Sequence, residues 1–88
     1  MSFILYSRST CPLCEAMEAE LGPFIQEYGI TVSRRYIDND EALVQQYGDR
    51  IPVLTLNGET LCEYFLDPER LLAAISTGSK KTDANNNS

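Results

Sequence analysis

A short apolar strand that leads directly into a capped helix is the feature that most constrains the fold of this chain. The run Phe3–Tyr6 is β-rich and contains no charged residue, which is typical of a central strand buried on both faces of a parallel sheet. Residues 2–7 are therefore predicted to form the first strand. The segment Ser9–Pro12 then predicts a helix start, because a small polar residue or thiol stands at the cap and proline takes the first helical position.

The first helix is predicted from apolar residues that recur at three- and four-residue spacing. The stripe extends from Leu13 to Tyr28, and Gly29 ends it. Gly22 and Pro23 interrupt this pattern, and an interior proline costs roughly 3 kcal/mol. We therefore expect a kink or a break at these two residues.

The rest of the chain predicts an α/β domain with the element order β-α-β-α-β-β-α. The remaining elements are a strand at Thr31–Ile37, a helix over about residues 40–47, strands at Ile51–Leu56 and Glu59–Cys62 joined by an Asn57-Gly58 turn, and a helix that Asp67 caps and Pro68 begins. The polar side chains of the second strand favour an edge position. Because βαβ crossovers are right-handed, strands one and two should be parallel neighbours, and the hairpin should complete a four-stranded mixed sheet.

Length limits the chain to one small domain. A chain of 88 residues supports one modest core, which we assign to residues 1–77. Residues 78–88 contain one alanine and no larger apolar residue. Nothing there offsets the entropy cost of ordering, so this segment is predicted to be a disordered polar tail.

Charge and residue usage exclude several classes of function. The net charge of −6 disfavours binding to nucleic acid and to membrane surfaces. The absence of histidine excludes Ser-His-Asp and Cys-His catalysis and His-bearing zinc sites, and three cysteines cannot complete a four-cysteine zinc site within one chain. No metal site is therefore predicted. The N-terminal apolar run is too short for a signal peptide or a membrane span, so a cytoplasmic, reducing location is expected.

Cys11 and Cys14 stand where the first strand gives way to the first helix. Residues three apart on a helix face the same side, so their sulfurs can close a reversible disulfide ring. Cys11 at the cap faces the free N–H groups of the first turn, and such positions lower thiol pKa values from about 8.5 to roughly 3.5–7.5. We predict that Cys11 is the nucleophile, with Arg8 as a nearby cation, and that Cys14 is the resolving thiol.

Two other interpretations of this cysteine pair stay open. A C-x-x-C sequence also occurs as half of a metal site or as two buried structural thiols. The position at a helix cap favours redox chemistry, because a structural pair does not require a helix N-terminus.

The segment Tyr6–Cys14 resembles the active-site segment of the glutaredoxins, within the thioredoxin-fold superfamily. Arg8 stands where that family usually has lysine, and Leu13 where it usually has tyrosine. The resemblance covers residues 2 to about 76. Tyr47–Gly48, followed by Ile51–Val53, resembles a short bacterial branch of glutaredoxin-like proteins. The resemblance implies a thioredoxin fold of glutaredoxin type and a monomer.

The resemblance also implies a substrate site. Pro52 would follow a cis peptide bond, and the backbone of Ile51 would pair with an extended substrate beside Cys11. The alternative is an ordinary trans proline that opens an edge strand. The implied substrate-binding residues are Arg8, Pro12, Leu13, Ile51 and Pro52. The expected partners are a protein or small-molecule disulfide and a reductant, either glutathione or a thioredoxin-reductase-type system, and no tightly bound cofactor is expected.

Glutathione use is expected to be weak. Glutathione-binding glutaredoxins have a Gly-Gly pair at the end of the fourth strand and a Ser/Cys-Asp pair that opens the last helix. This chain has Cys62-Glu63 and Tyr64-Phe65 at those positions. Side chains would fill space that a backbone must approach, and the charge of Glu63 would repel a glutathione carboxylate. Arg8 and Arg50 remain available to attract an anion, although exposed arginines are more often only solvated.

Three residues near this position have two interpretations each. Cys62 is placed to trap Cys11 in an alternative disulfide, but a buried thiol that packs as a small apolar side chain is favoured. Tyr64 and Phe65 are candidates for an apolar lip that selects a protein substrate, and we favour core positions for both.

The predicted function is thiol-disulfide exchange of glutaredoxin type. A binding module that keeps the fold without turnover is the main alternative. A third possibility is an iron-sulfur site bridged by Cys11 from two chains, which the second cysteine at Cys14 disfavours.

Overall fold

The sheet is built around the first strand of the chain. The computed structural model describes the backbone of residues 1–87 and the side chains of residues 1–77. The strands are β1 (Ser2–Ser7), β2 (Thr31–Tyr36), β3 (Val53–Leu56) and β4 (Glu59–Glu63), and the helices are α1 (Pro12–Tyr28), α2 (Glu41–Tyr47) and α3 (Pro68–Asn87). The element order is the one predicted from the sequence.

The four strands form one mixed sheet in the order β2-β1-β3-β4. β1 pairs in parallel with β2 and antiparallel with β3, and β3 pairs antiparallel with β4. β2 lies at an edge and most of its side chains are exposed, as its polar residues predicted. Asn57 and Gly58 have positive φ angles of 53° and 84°, which suits the tight hairpin turn between β3 and β4.

Two apolar clusters lie on opposite faces of this sheet, because successive side chains of a strand alternate between faces. The larger cluster, here called the main core, contains Leu5 and Leu54 of the sheet together with residues of α1 and α3. The smaller, here called the site cluster, contains Cys14, Ile37, Tyr47, Ile51 and Val53, with Tyr6, Cys11 and Leu43 packed against it. The predicted redox pair therefore packs in the same cluster as Tyr47 of α2.

The first helix has no break at Gly22 and Pro23, and the alternative, a kink there, stays a prediction. α1 is continuous from Pro12 to Tyr28 with Pro23 inside it. Leu21 and Phe24, on either side of that proline, both pack against the main core, and this burial offsets the missing hydrogen bond. Gly29 ends the helix in the left-handed conformation, with φ 65°, as glycine commonly does.

The last helix begins as predicted and ends later. The Arg70 N–H donates to Asp67 Oδ1 at 3.2 Å, so Asp67 caps the first turn. The backbone of α3 continues past Gly78 to Asn87, since a helical glycine costs only about 1 kcal/mol relative to alanine. The tail assigned to residues 78–88 lies outside the residues whose side chains are described, and its disorder stays a prediction.

Candidate functional site

Cys11 and Cys14 form a disulfide at the N-terminus of α1, with their Cα atoms 5.2 Å apart. Cys11 is the N-cap residue, and its Sγ accepts a hydrogen bond from the Cys14 N–H at 3.1 Å. Cys11 is partly exposed, whereas Cys14 is only 2% exposed. One sulfur is thus open to an incoming group and sits among free helix N–H groups, while the other is shielded. In the described part of the chain, no group of three or more cysteine, aspartate or glutamate side chains is placed to hold a metal ion.

Asp38 holds the loop that leads into Cys11. Its carboxylate accepts hydrogen bonds from the Ser9 backbone N–H at 3.1 Å and from the Ser9 hydroxyl at 2.8 Å. Next to it, the Ile37 N–H donates to the Ser7 carbonyl at 2.9 Å. The hydrogen bond from the Ser9 side chain is the main cause that lowers the pKa of Asp38. Sequence reasoning gave Asp38 no part in the site, because its partner Ser9 is 29 residues away along the chain.

Arg8 links the same loop to the end of α2. Its guanidinium donates to the Gly48 carbonyl at 2.9 Å. The structure therefore shows an anchoring contact for Arg8. Its predicted roles as a cation for Cys11 and as a substrate-binding residue stay predictions.

The segment before β3 lies against the cysteine pair. Ile51 is 8% exposed and belongs to the site cluster with both cysteines. The peptide bond between Ile51 and Pro52 is cis, and Pro52 is fully buried. Tyr47 supports this arrangement from α2, because its ring stacks on Tyr6 with the centroids 4.3 Å apart. Of the predicted site residues, the structure brings Cys11, Cys14 and Ile51 into one cluster.

Two further predicted site residues, Pro12 and Leu13, lie between the cysteines in the first turn of α1. Both are exposed, and Leu13 keeps 39% of its surface accessible. An exposed leucine beside a disulfide gives the surface around the cysteine pair an apolar component. Their predicted contact with substrate remains a prediction.

Residues 62–66, here called the 62–66 turn, comprise the last two residues of β4 and the start of the link to α3, beside the Ile51–Pro52 segment. The Tyr64 N–H donates to the Pro52 carbonyl at 2.9 Å, and the Tyr64 hydroxyl donates to the Asp49 carbonyl. Glu63 forms an ion pair with Arg50, with Oε2 and Nη1 2.8 Å apart. These bonds fix the turn against the segment that follows α2.

The core positions favoured for Tyr64 and Phe65 are wrong. Tyr64 is 42% exposed and Phe65 is 69% exposed. β4 ends at Glu63, and Tyr64 adopts a left-handed conformation with φ 67°. This conformation ends the strand alternation from which inward side chains would follow. The apolar lip, the less favoured interpretation, agrees with the exposure of these two rings.

Arg50 is held by several groups of the protein. Besides its ion pair with Glu63, its guanidinium donates to the Gln46 carbonyl and lies 5.6 Å from the centroid of the Tyr47 ring. Arg8 is likewise engaged by Gly48. The two cations that were candidates for attracting an anion are therefore both bound to groups within the protein.

Cys62 is a buried thiol of the main core. It is 5% exposed, and its Sγ accepts a hydrogen bond from the Asp67 N–H at 3.4 Å. Burial is the main cause that raises its thiol pKa. The interpretation of Cys62 as a packed apolar side chain is confirmed, since it is buried in the main core and not in the cluster that contains Cys11 and Cys14.

Comparison with known proteins agrees with this architecture. The family model described as "Glutaredoxin-like domain (DUF836)" matches residues 2–76. The chain belongs to this glutaredoxin-like family. No curated protein matches the chain.

Solved structures of other proteins share this fold. The NMR structure of protein Ne2328 from Nitrosomonas europaea is 36% identical over 83% of this chain and 88% of that one, with a TM-score of 0.76. An X-ray structure of a structural-genomics target from X. campestris is 32% identical over 85% of this chain and 96% of that one, with a TM-score of 0.67. A mutant thioredoxin from Halobacterium salinarum, 23% identical over 86% of this chain and 72% of that one, shares the fold with a TM-score of 0.57. The fold is thus a glutaredoxin-like thioredoxin fold that carries a Cys11–Cys14 disulfide.

Proposed function

We propose that this glutaredoxin-like protein is a thiol-disulfide oxidoreductase that acts through Cys11 and Cys14. The observation that carries the proposal is the disulfide at the N-cap of α1, with one accessible and one shielded sulfur. A helix N-terminus stabilises a thiolate at its cap, and the thiolate is the reactive form of cysteine. This arrangement separates the attacking thiol from the resolving thiol.

The exchange proceeds in two displacements. In the reduced protein, the Cys11 thiolate attacks one sulfur of a substrate disulfide, forms a mixed disulfide and releases the other substrate sulfur as a thiolate. Cys14 then loses its proton, and its thiolate attacks Cys11 Sγ. The internal disulfide forms, the second substrate thiolate leaves, and two electrons have passed from protein to substrate. A thiol reductant restores the two protein thiols by the reverse sequence.

The proposed substrate is a protein or small-molecule disulfide, with weak use of glutathione. The 62–66 turn supports this choice. Glu63, paired with Arg50, stands where glutathione-binding glutaredoxins are expected to have a Gly-Gly pair, and Tyr64 and Phe65 stand where a Ser/Cys-Asp pair is expected. Arg8 and Arg50 are both engaged within the protein. Arg8, Pro12, Leu13, Ile51 and Pro52 are the proposed substrate-binding residues.

The remaining features of the proposal concern the setting in which the protein works. We propose a cytoplasmic monomer with no tightly bound cofactor and no nucleic-acid or membrane partner. The net charge of −6 supports the last two points, because it repels polyanions. Within the described residues, no helix is long and apolar enough to cross a membrane.

Reduction kinetics with two electron donors test the proposal. The reduction of bis(2-hydroxyethyl) disulfide is followed with glutathione and glutathione reductase, and in parallel with a thioredoxin reductase system. Cys11→Ser should abolish turnover, whereas Cys62→Ala, a matched loss of one thiol outside the site, should retain it. We expect the glutathione-coupled rate to be the poorer of the two. Absence of disulfide reduction with every reductant would instead favour a binding module without turnover.

A further inference from the structure

We propose that the 62–66 turn is a docking element for protein substrates and that Phe65 is its anchor. The proposed partner is a protein whose reactive disulfide is flanked by an apolar side chain and by basic residues. This inference rests on the proposed exchange activity of Cys11 and Cys14, and it names the class of substrate that reaches them.

The exposure of Phe65 is the first observation. At 69%, it is the most accessible of the large apolar side chains in the described residues. A phenyl ring that stays in water adds little to the stability of the fold, since burial of apolar surface is the main favourable contribution to folding. Aromatic side chains are enriched among the residues that form protein interfaces and anchor them.

The second observation is that the turn is held in place by hydrogen bonds within the protein. Besides the bonds of Tyr64 to Pro52 and to Asp49, the Phe65 N–H donates to the Glu63 carbonyl at 2.7 Å. Tyr64 is held at φ 67°, a conformation that a residue with a bulky side chain adopts at a cost. Several contacts therefore hold a strained turn that presents a ring to solvent. An anchor fixed in this way loses little conformational freedom on binding.

The third observation is the route of contacts from Phe65 to the cysteine pair. Tyr64, the preceding residue, is hydrogen-bonded to Pro52. Ile51, next to Pro52, packs in the site cluster with Cys11 and Cys14. Leu13, between the two cysteines, adds a second exposed apolar side chain. This chain of contacts links the turn that presents Phe65 to the cluster that contains Cys11 and Cys14.

Charge selects the chemistry of the partner. Residues 49–70 contain five carboxylates and two guanidinium groups. Both guanidiniums are occupied, because Arg50 pairs with Glu63 and Arg70 donates to the Thr60 carbonyl. Asp67 and Glu69 are exposed beside the turn. This excess of negative charge favours lysine or arginine near the partner's disulfide and disfavours an acidic partner.

The test compares two peptide disulfides with one small disulfide. One peptide has lysine and leucine beside its cysteine, the other has glutamate and serine there, and bis(2-hydroxyethyl) disulfide is the small substrate. Phe65→Ala should lower the ratio of kcat/KM for the lysine-leucine peptide to kcat/KM for the small disulfide by about tenfold, the size of a typical anchor residue. Tyr28→Ala, which removes a 44% exposed ring at the far end of α1, is the matched control and should leave that ratio unchanged. An unchanged ratio in Phe65→Ala, or a preference of the wild type for the glutamate-serine peptide, would overturn the proposal.

A binding measurement separates the docking element from the exchange activity. The same lysine-leucine peptide, with serine in place of cysteine and a fluorophore at one end, should bind the oxidised wild type, and Phe65→Ala should weaken this binding about tenfold. Binding without reduction of any substrate would leave docking intact and refute the proposed function. Reduction of the small disulfide with equal peptide binding by both proteins would refute docking alone. Self-association of the wild type that Phe65→Ala removes would assign the surface to a second copy and would also overturn the proposal.

Discussion

Cys11 and Cys62 place the same side chain in opposite surroundings. Cys11 caps a helix and is partly exposed, whereas Cys62 is 5% exposed and its thiol pKa is raised chiefly by burial. A raised pKa keeps the Cys62 sulfur protonated at neutral pH, and a helix cap favours the thiolate of Cys11. Reactivity in the reduced protein should therefore differ sharply between the two.

Brief iodoacetamide treatment of the reduced protein near pH 7 should label Cys11 first. Cys14 should follow more slowly because it is 2% exposed, and Cys62 should react only after unfolding. Mass spectrometry of the digested protein gives the three rates, and the unfolded chain is the control in which all three should become similar. Preferential labelling of Cys14 or Cys62 would contradict the assigned roles.

Replacement of Asp38 should lower the free energy of unfolding at neutral pH and have a smaller effect in acid. Its pKa is lowered mainly by the Ser9 hydroxyl, so its stabilising contribution is present above the unfolded value of about 3.9 and is lost as the pH falls through the lower folded value. Urea unfolding should thus show Asp38→Asn to be less stable than wild type at pH 7, with a smaller difference at pH 3. Ser9→Ala should reproduce part of this loss. A difference independent of pH would show that the Asp38 charge has no role.

Residues that act through local patterns were predictable from the sequence, and residues that act through distant contacts were not. Cys11 and Cys14 are separated by one helical turn, so their pairing follows from helix geometry. Asp38 meets Ser9 only because β1 and β2 are neighbours in the sheet. The outward position of Phe65 depends on the left-handed conformation of Tyr64, which no residue preference in the sequence indicates.

At the scale of elements, Gly22 inside α1 and Gly29 at the C-cap of α1 differ in whether alanine can replace them. A Cβ at Gly22 would meet no atom within 4 Å, whereas Gly29 holds φ 65° at the C-cap. Gly22→Ala should raise the free energy of unfolding by about 0.5–1 kcal/mol, because alanine loses less entropy in a helix. Gly29→Ala should lower it by about 1 kcal/mol, because an L side chain is disfavoured in the left-handed region. Denaturant unfolding measures both, and a loss of stability in Gly22→Ala would show that the helix is distorted at Pro23.

The 62–66 turn makes the proposed weakness toward glutathione testable as a property of one element. Glu63→Gly combined with Phe65→Asp removes the charge of Glu63. The double variant has at positions 63 and 65 the glycine and aspartate expected of a glutathione-binding glutaredoxin, while Cys62 stays in the main core. The glutathione-coupled rate should rise by about tenfold, equivalent to 1.4 kcal/mol. Glu63→Gly with Phe65→Asn is the control that matches aspartate in size without its charge. Efficient glutathione turnover by the wild type would refute the proposal that the side chains of this turn impair glutathione binding.

The order, pairing and caps of the elements were predictable because each has a local cause. Asp67 and Pro68 mark a helix start, and Asn57-Gly58 marks a hairpin. The continuity of α1 through Pro23 was not predictable, since it depends on the packing of Leu21 and Phe24 against residues far along the chain. Tertiary packing outweighs local preference at that position.

At the scale of the whole molecule, the main core and the cysteine pair belong to two different apolar clusters. The main core holds β1, β3 and α3 together, and the site cluster on the other face supports the cysteine pair with Tyr47 and Ile51. The loop before Cys11, the segment before β3 and the 62–66 turn converge through hydrogen bonds. One sulfur is left accessible beside exposed apolar side chains, on a protein of net charge −6.

The central claim is that electrons pass through a mixed disulfide on Cys11 that Cys14 resolves. The most direct measurement is mass spectrometry of the reduced Cys14→Ser variant after incubation with a peptide disulfide. It should carry one peptide, joined to Cys11, whereas the wild type under the same conditions should carry none and should release two peptide thiols per protein oxidised. A Cys14→Ser variant that forms no adduct, or an adduct on Cys62 in its place, would contradict the account.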